Sequence, residues 1–265
     1  MTDRSETLLP SQTRGNRVNR RQCVILSGGL GTRLGDLGRS RPKHLVDVLG
    51  RPFAHRQLEW LRTQGVTDVV ECVGHLGDEI RAELGDGSRF GLSITYSDDG
   101  VQGATSPRPG TGGALVLAHR RGLLQERFCV LYGDSWLRLD LGSLWDEAAR
   151  NGAPATMAII ENSNGREASN VSLDEHRLRY AKGQGVAQNQ PERTHIDYGI
   201  SVISRHLIAG LDDGTATPHL DLADAVAAWS ARGLVAPFEV SRPYDEVGTP
   251  EGIDRLEAAL LAGDR

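Results

Sequence analysis

Residues 28 to 43 combine a glycine turn with two cations: Gly28-Gly29-Leu30-Gly31-Thr32-Arg33 is followed by Arg41-Pro42-Lys43. Glycines let backbone N–H groups approach phosphate oxygens closely, and a helix starting at Thr32 would add the positive end of its dipole. Arg33 and Lys43 then offer two positive charges to one phosphate chain. Two commoner glycine motifs do not fit. A dinucleotide fingerprint beginning at Gly29 needs glycine at position 34, where Leu34 stands, and the Walker pattern needs a Gly-Lys pair, which the chain lacks.

The lysines carry information of their own. Of 30 basic residues, 28 are arginine and only Lys43 and Lys182 are lysine. A chain that uses arginine for general surface charge keeps lysine where a compact, strongly hydrated ammonium on a flexible stem is wanted. Among the acids, Asp134 closes an apolar run as Gly133-Asp134-Ser135. That is the strand end at which α/β sheets hold ligands, although Asp is also a common helix N-cap.

The elements that must position these groups follow from the hydrophobic pattern. Residues 22–27 read as a strand running into the glycine turn, with a helix from Thr32 to Leu37; 51–64 reads as a helix stopped by Gly65, and 66–73 as a strand. A short helix near 77–84, a strand near 92–96, a helix over 111–121 and a buried strand over 127–131 continue the rhythm. Such βαβ units imply a parallel sheet. Segments 155–161, 170–173, 177–181 and 195–203 follow without long helices between them, so antiparallel or mixed pairing is expected there. Helices over 220–232 and 250–262, around a strand at 235–240, close the chain.

Composition sets the outer limits. The chain has 265 residues, 38% hydrophobic and 25% charged, with net charge −5, enough for one large α/β domain. The first 21 residues, with five arginines against Asp3 and Glu6, are expected to be a disordered tail without a signal-peptide core; 22–265 forms one domain. The acidic remainder argues against nucleic acid as a partner, and no apolar run is long enough to span a membrane. Cys23, Cys72 and Cys129 lie in β-like runs without metal spacing, which suits small buried hydrophobes in a cytoplasmic protein.

The run Gly28 to Leu34 with Pro42-Lys43 resembles the signature of the sugar-1-phosphate nucleotidyltransferases. The likeness continues through Gly50-Arg51-Pro52-Phe53, Leu84 to Leu92, Gly110-Thr111-Gly112-Gly113-Ala114, Gly133-Asp134-Ser135 and Val247 to Glu251, over about residues 22 to 262. It is strongest toward the small bacterial branch with heptose-1-phosphate guanylyltransferases and N-acetylmuramate-1-phosphate uridylyltransferases. The resemblance implies a Rossmann-like, mixed and mostly parallel sheet with flanking helices, the nucleotide-diphospho-sugar transferase fold. Its nucleotide-binding half would cover about 22–135 and its sugar-binding half about 136–265. The implied substrates are an NTP and the 1-phosphate of a heptose or hexose, with Mg2+ as cofactor. A uridylyl- or thymidylyltransferase for an amino or deoxy sugar, a catalytically silent sugar-nucleotide-binding subunit, and homo-oligomerisation stay open.

The resemblance also assigns residues. Arg33 would hold the β- and γ-phosphates and Lys43 the α-phosphate, with Gly28, Gly29, Gly31 and Thr32 along the phosphate chain. Gly110 and Thr111 would meet the base, in a loop where Gln102 is a further candidate. Lys182 would hold the sugar phosphate, with Asp197, Gly199 and Asn170 at the sugar hydroxyls. Asp134 and Glu246 would share the metal; the family usually has Asp at the second position, and Asp245 is the alternative, though strand alternation points it to the opposite face. Ala181 stands where relatives often place a hydroxyl-binding Glu.

Overall fold

The computed structural model describes residues 21–35, 38, 41–100, 108–163, 168–174, 177–182, 192–215 and 219–264. Strand β1 (Arg21–Leu26) is buried on both faces, with Cys23 and Ile25 in one core and Val24 in the other. It starts at Arg21, which pairs with Val66, so Arg21, expected in the tail, belongs to the sheet. The other tail residues, 1–20, lie outside the described residues.

After the glycine turn the chain makes a 3-10 turn, Thr32–Leu34, at the start of the helix expected from Thr32 to Leu37; residues 36 and 37 lie outside the described residues. Gly35 ends the turn at φ 60, ψ −131, a conformation that a side chain with Cβ avoids. A second 3-10 turn, Lys43–Leu45, leads into the hairpin of β2 (Asp47–Val48) and β3 (Arg51–Pro52). Helix α1 (Phe53–Thr63) then buries Phe53, Ala54, Leu58 and Leu61. Strand β4 (Val66–Val73), helix α2 (Gly77–Leu84), strand β5 (Ser93–Asp98), helix α3 (Gly110–Arg120) and strand β6 (Arg127–Tyr132) complete the first half. β4 and β6 flank β1 and β5 pairs with β4, all in parallel.

The second half begins with the two-residue β7 (Ser135–Trp136) and helix α4 (Leu141–Asn151), which the sequence pattern did not announce. Asp140 caps α4, accepting from the backbone of Gly142 and Ser143 at 3.1 Å each, and Leu141, Leu144 and Ala148 form its buried stripe. Strands β8 (Ala155–Glu161), β9 (Val171–Asp174), β10 (Arg177–Tyr180) and β11 (His195–Ser204) follow, then the short α5 (Arg205–Ala209), also unanticipated. Helix α6 (Leu222–Ala231), β12 (Val235–Val240), the two-residue β13 (Asp245–Glu246) and α7 (Pro250–Leu261) end the described chain.

β11 ties the halves together. It runs antiparallel to β6, β8 and β9, while β12 adds to β8 in parallel. The sheet is therefore parallel where βαβ crossovers build it and mixed where hairpins do, as the two patterns of the sequence imply. Between Asp197 and Ser201 the register of β11 against β8 shifts, and Gly199 takes φ 89 in this bulge.

One core packs Ile25, Val73 and Leu131 against α1, α2 and α4. The opposite core packs Val24, Phe128 and Ile159 against α3, α5 and α6. A third, smaller cluster of Leu34, Val46, Val48, Phe53, Trp136, Val247 and Leu256 lies under the glycine turn and joins it to β7 and α7. Among the described residues, no helix is long and apolar enough to cross a membrane.

Candidate active site

The C-terminal ends of β1, β4 and β6 open on a cleft of about 270 Å³, at the place where open α/β sheets receive ligands. Gly28 and Gly29 form part of one wall, Gly110 and Thr111 part of another, and Lys43 and Asp134 stand at the rim. Gly31 precedes the 3-10 turn that Thr32 begins, so Arg33 leaves this turn with its side chain 61% exposed. Arg108 donates to Asp99 Oδ2 at 3.2 Å and to Gly28 O at 3.3 Å, closing the wall beside the glycine turn. Gln102 lies outside the described residues.

Two cations and two carboxylates gather here: Lys43 and Asp134 line the cleft, and Arg33 with Glu246 stands beside them without lining it. Lys43 Nζ donates to Asp134 Oδ2, and both side chains are mostly buried. Arg33 NH1 lies 3.4 Å from Glu246 Oε1. The segments carrying the two acids are zipped together, because β13 pairs antiparallel with β7 and Val247 N donates to Asp134 O at 2.9 Å. Adjacent residues of a strand point to opposite faces. Accordingly Asp245 turns away from the cleft and accepts from the buried Arg138 NH2 at 2.6 Å.

Gly248 is a site residue that the sequence reading passed over. A Cβ on it would sit 3.0 Å from Lys43 Nζ and 3.2 Å from Arg33 NH2, so the lack of a side chain lets both cations close in on the same point. The signal was the glycine within Val247-Gly248-Thr249, read only as part of a motif.

The sugar-side candidates form a second group. Asn170 Oδ1 accepts from Asp197 N at 2.9 Å, and Asp197 Oδ1 accepts from Gly199 N at 2.9 Å, so Asn170 braces the bulge on which both other residues ride. A Cβ on Gly199 would lie 3.1 Å from Ser135 Oγ, next to Asp134 in sequence. Lys182 Nζ donates to Asp221 Oδ2 at 2.7 Å and lies 3.4 Å from Asp224 Oδ2. These two carboxylates raise the lysine's pKa, and it stays charged. Thr111 Oγ1 donates to Asp221 Oδ1 at 3.0 Å and accepts from Leu222 N at 2.8 Å, so its hydroxyl is engaged in the cap of α6. Lys182 and the cleft wall thus meet at Asp221, a residue no motif had singled out.

Burial pushes the Asp197 carboxyl up to about 6, against the opposing pull of the Gly199 N–H. An acid whose folded pKa exceeds its unfolded value binds more protons when folded, so stability falls as pH rises from about 4 through 6 and is level above. Asp197→Asn removes this penalty while keeping the acceptor for Gly199. The melting-temperature gain of the variant over the parent should therefore widen between pH 4 and 6 and then stay constant. A gain that is flat across this range, or that shrinks with pH, contradicts it.

Comparison with known proteins identifies the family. The family model described as nucleotidyl transferase matches residues 22–170. The chain is 28% identical over 243 residues to a mannose-1-phosphate guanylyltransferase from Mycobacterium tuberculosis, covering 91% of this chain and 65% of the relative. It is 30% identical over 139 residues to a D-glycero-alpha-D-manno-heptose 1-phosphate guanylyltransferase from Aneurinibacillus thermoaerophilus, covering 52% and 56%. A uridylyltransferase relative from Synechocystis is matched over 36% of its length, so the chain spans between about one third and two thirds of the first of these curated relatives. The crystal structure of HddC from Yersinia pseudotuberculosis superposes with a TM-score of 0.70 at 21% identity, covering 91% of this chain and 99% of the other, a likeness of fold. A family match that starts within β1 and takes in the glycine turn, Lys43 and Asp134, over more than half of the chain, makes this chain a member of the nucleotidyl transferase family.

Proposed function

We propose that this protein transfers a nucleotidyl group from an NTP to a sugar 1-phosphate, giving an NDP-sugar and pyrophosphate, with a heptose or hexose as the sugar. The observation that carries the reading is the convergence of Lys43, Arg33, Asp134 and Glu246 beside Gly248 at the mouth of the glycine-lined cleft. A phosphate oxygen of the sugar phosphate attacks the α-phosphorus. The new P–O bond forms as the α–β bridging P–O bond breaks, and pyrophosphate leaves with the electron pair. Nothing in this step needs a covalent enzyme intermediate; it needs in-line positioning and positive charge.

Each residue has a place in that scheme. Backbone N–H groups from Gly28 to Thr32 cradle the phosphates, Arg33 holds the departing pyrophosphate and Lys43 meets charge developing at the α-phosphate. Gly110 and Thr111 border the base. Lys182 receives the sugar phosphate, and Asn170, Asp197 and Gly199 border the hydroxyls. Asp134 and Glu246 supply hard oxygen donors, which suits magnesium. No group of three or more metal-binding side chains occurs among the described residues, so two carboxylates would be completed by phosphate and water oxygens, the usual magnesium arrangement in phosphoryl-transfer sites. When bound, the metal neutralises phosphate charge. Free, buried Cys23, Cys72 and Cys129 suit a reducing cytoplasm.

Pyrophosphate release from each of four NTPs, across heptose, hexose, amino-sugar and deoxy-sugar 1-phosphates, tests the reading. Release with none of them overturns it, and nucleotide-sugar binding without turnover identifies a binding subunit instead. Lys182→Ala should raise the KM for sugar 1-phosphate by about 10-fold or more with a smaller change in kcat, because its charge is met before the chemical step. An unchanged KM would return Lys182 to a role in the α6 cap alone.

A further inference from the structure

Three buried polar side chains form a file that the transfer chemistry does not use. Glu71 stands within β4 between Val70 and Cys72, and its side chain is fully buried, as is that of His44. Gln57 on α1 is buried too. His44 Nδ1 lies 2.8 Å from Glu71 Oε1, and His44 Nε2 lies 3.0 Å from Gln57 Oε1. Gln57 Nε2 donates to Tyr132 O at 3.1 Å and to Ser135 O at 2.9 Å, the two ends of the turn that carries Asp134.

The hydrogen positions follow from the partners. An amide nitrogen facing two carbonyl oxygens has both hydrogens committed, which leaves Gln57 Oε1 as an acceptor toward His44. His44 Nε2 must then carry a hydrogen, with Nδ1 turned toward Glu71 Oε1. Flipping the amide would set its oxygen against two carbonyls and its NH2 against an N–H. The file is thus locked in one orientation. Burying a carboxylate, an imidazole and an amide is less favourable than filling the same space with apolar side chains. What such a network provides is a fixed arrangement.

We propose that Gln57, oriented by His44 and Glu71, is the positioning residue that sets the Asp134 turn against the Lys43 turn. Lys43 and His44 are neighbours in one 3-10 turn, so two links join that turn to residues 132–135. One runs at the rim from Lys43 to Asp134, the other beneath it from His44 through Gln57. Lysine is a flexible link, and it is the one that must turn toward phosphate in the transferase reading on which this inference rests. The buried polar link then remains, on top of the apolar packing of Val46 and Phe53 with Trp136, to hold the two turns in register.

Gln22 offers a matched control. Its buried amide donates to Leu123 O at 2.9 Å and accepts from Gln125 N at 2.8 Å, on the sheet end remote from the cleft. Gln57→Leu and Gln22→Leu should both lower the melting temperature. Only Gln57→Leu should also lower kcat, by about 10- to 100-fold as expected for a misplaced catalytic group, and raise the magnesium concentration for half-maximal rate, with the sugar-phosphate KM little changed. His44→Gln, which keeps an Nε2–H donor toward Gln57, should recover most of the rate that His44→Leu loses. Calorimetry with GTP and with UTP, each with and without magnesium, supplies a readout independent of turnover: the gain in affinity from magnesium should shrink in Gln57→Leu and not in Gln22→Leu. Wild-type protein that binds magnesium nucleotide but releases no pyrophosphate would overturn the transferase reading while leaving this comparison decisive. The proposal itself falls if Gln57→Leu matches Gln22→Leu in both kcat and the magnesium effect, or if His44→Leu is as active as His44→Gln. Should Gln57→Leu not fold, Gln57→Glu, of similar volume with the acceptor retained and the donors removed, takes its place with the same two outcomes.

Discussion

Lys43→Ala should lower kcat by about 10²- to 10³-fold, equivalent to about 2.7–4 kcal/mol of transition-state stabilisation, the loss seen when a preorganised charge-stabilising donor is removed. The ammonium is held by Asp134 in a mostly buried setting and stands 3.0 Å from where a Gly248 side chain would begin. Lys43→Arg should rescue little, because a planar guanidinium is bulkier than the ammonium and presents its charge differently. Initial rates of pyrophosphate release, normalised to folded protein by thermal melting, measure the effect. Turnover within a few-fold of the parent would remove Lys43 from the chemistry.

Asp134→Asn and Asp245→Asn should separate activity from stability. In the first, a carboxylate bonded to Lys43 becomes neutral, and activity should fall by about 10²-fold or more, since a metal clamp on phosphoryl oxygens contributes several kcal/mol. Part should return at higher magnesium by mass action. In the second, the closest acceptor of the buried Arg138 loses its charge, while Asp264 at 3.0 Å and Pro243 O at 2.9 Å remain. Stability should drop by about 1–3 kcal/mol, the penalty for weakening a buried charged hydrogen bond, while the folded enzyme keeps near-parental activity. If Asp245→Asn alters the magnesium requirement and Asp134→Asn does not, the metal has been assigned to the wrong carboxylates.

The parts of this architecture legible in the sequence are those set by local pattern. The βαβ rhythm over residues 22–135 read correctly because β1, β4 and β6 are short apolar runs bounded by turn residues, and Gly65 does follow α1. Alternation along β13 likewise foretold that Asp245 and Glu246 would face apart. Where a helix is expected from Thr32, residues 32–34 form a 3-10 turn that Gly35 caps at φ 60. Helix α4 was missed because Gly142 stands in its first turn, although Asp140 with Leu141, Leu144 and Ala148 carried the signal. The Glu71–His44–Gln57 file was beyond reach, since these side chains meet only when β4, the Lys43 turn and α1 are packed.

The pairing of Lys43 with Asp134 and of Arg33 with Glu246 also bears on the order in which ligands can arrive. Four charges closed into two pairs cancel at a distance, so the rim exerts little long-range pull on a polyanion, and the net charge of −5 adds none. A bare triphosphate would have to draw the cations off their carboxylates and leave two like charges facing each other. A triphosphate that brings a divalent ion would, in the proposed reading, offer phosphate to each cation and the ion to Asp134 and Glu246. Nucleotide and metal should therefore bind with positive cooperativity, each tightening the other by the same factor. Association should accordingly depend only weakly on ionic strength.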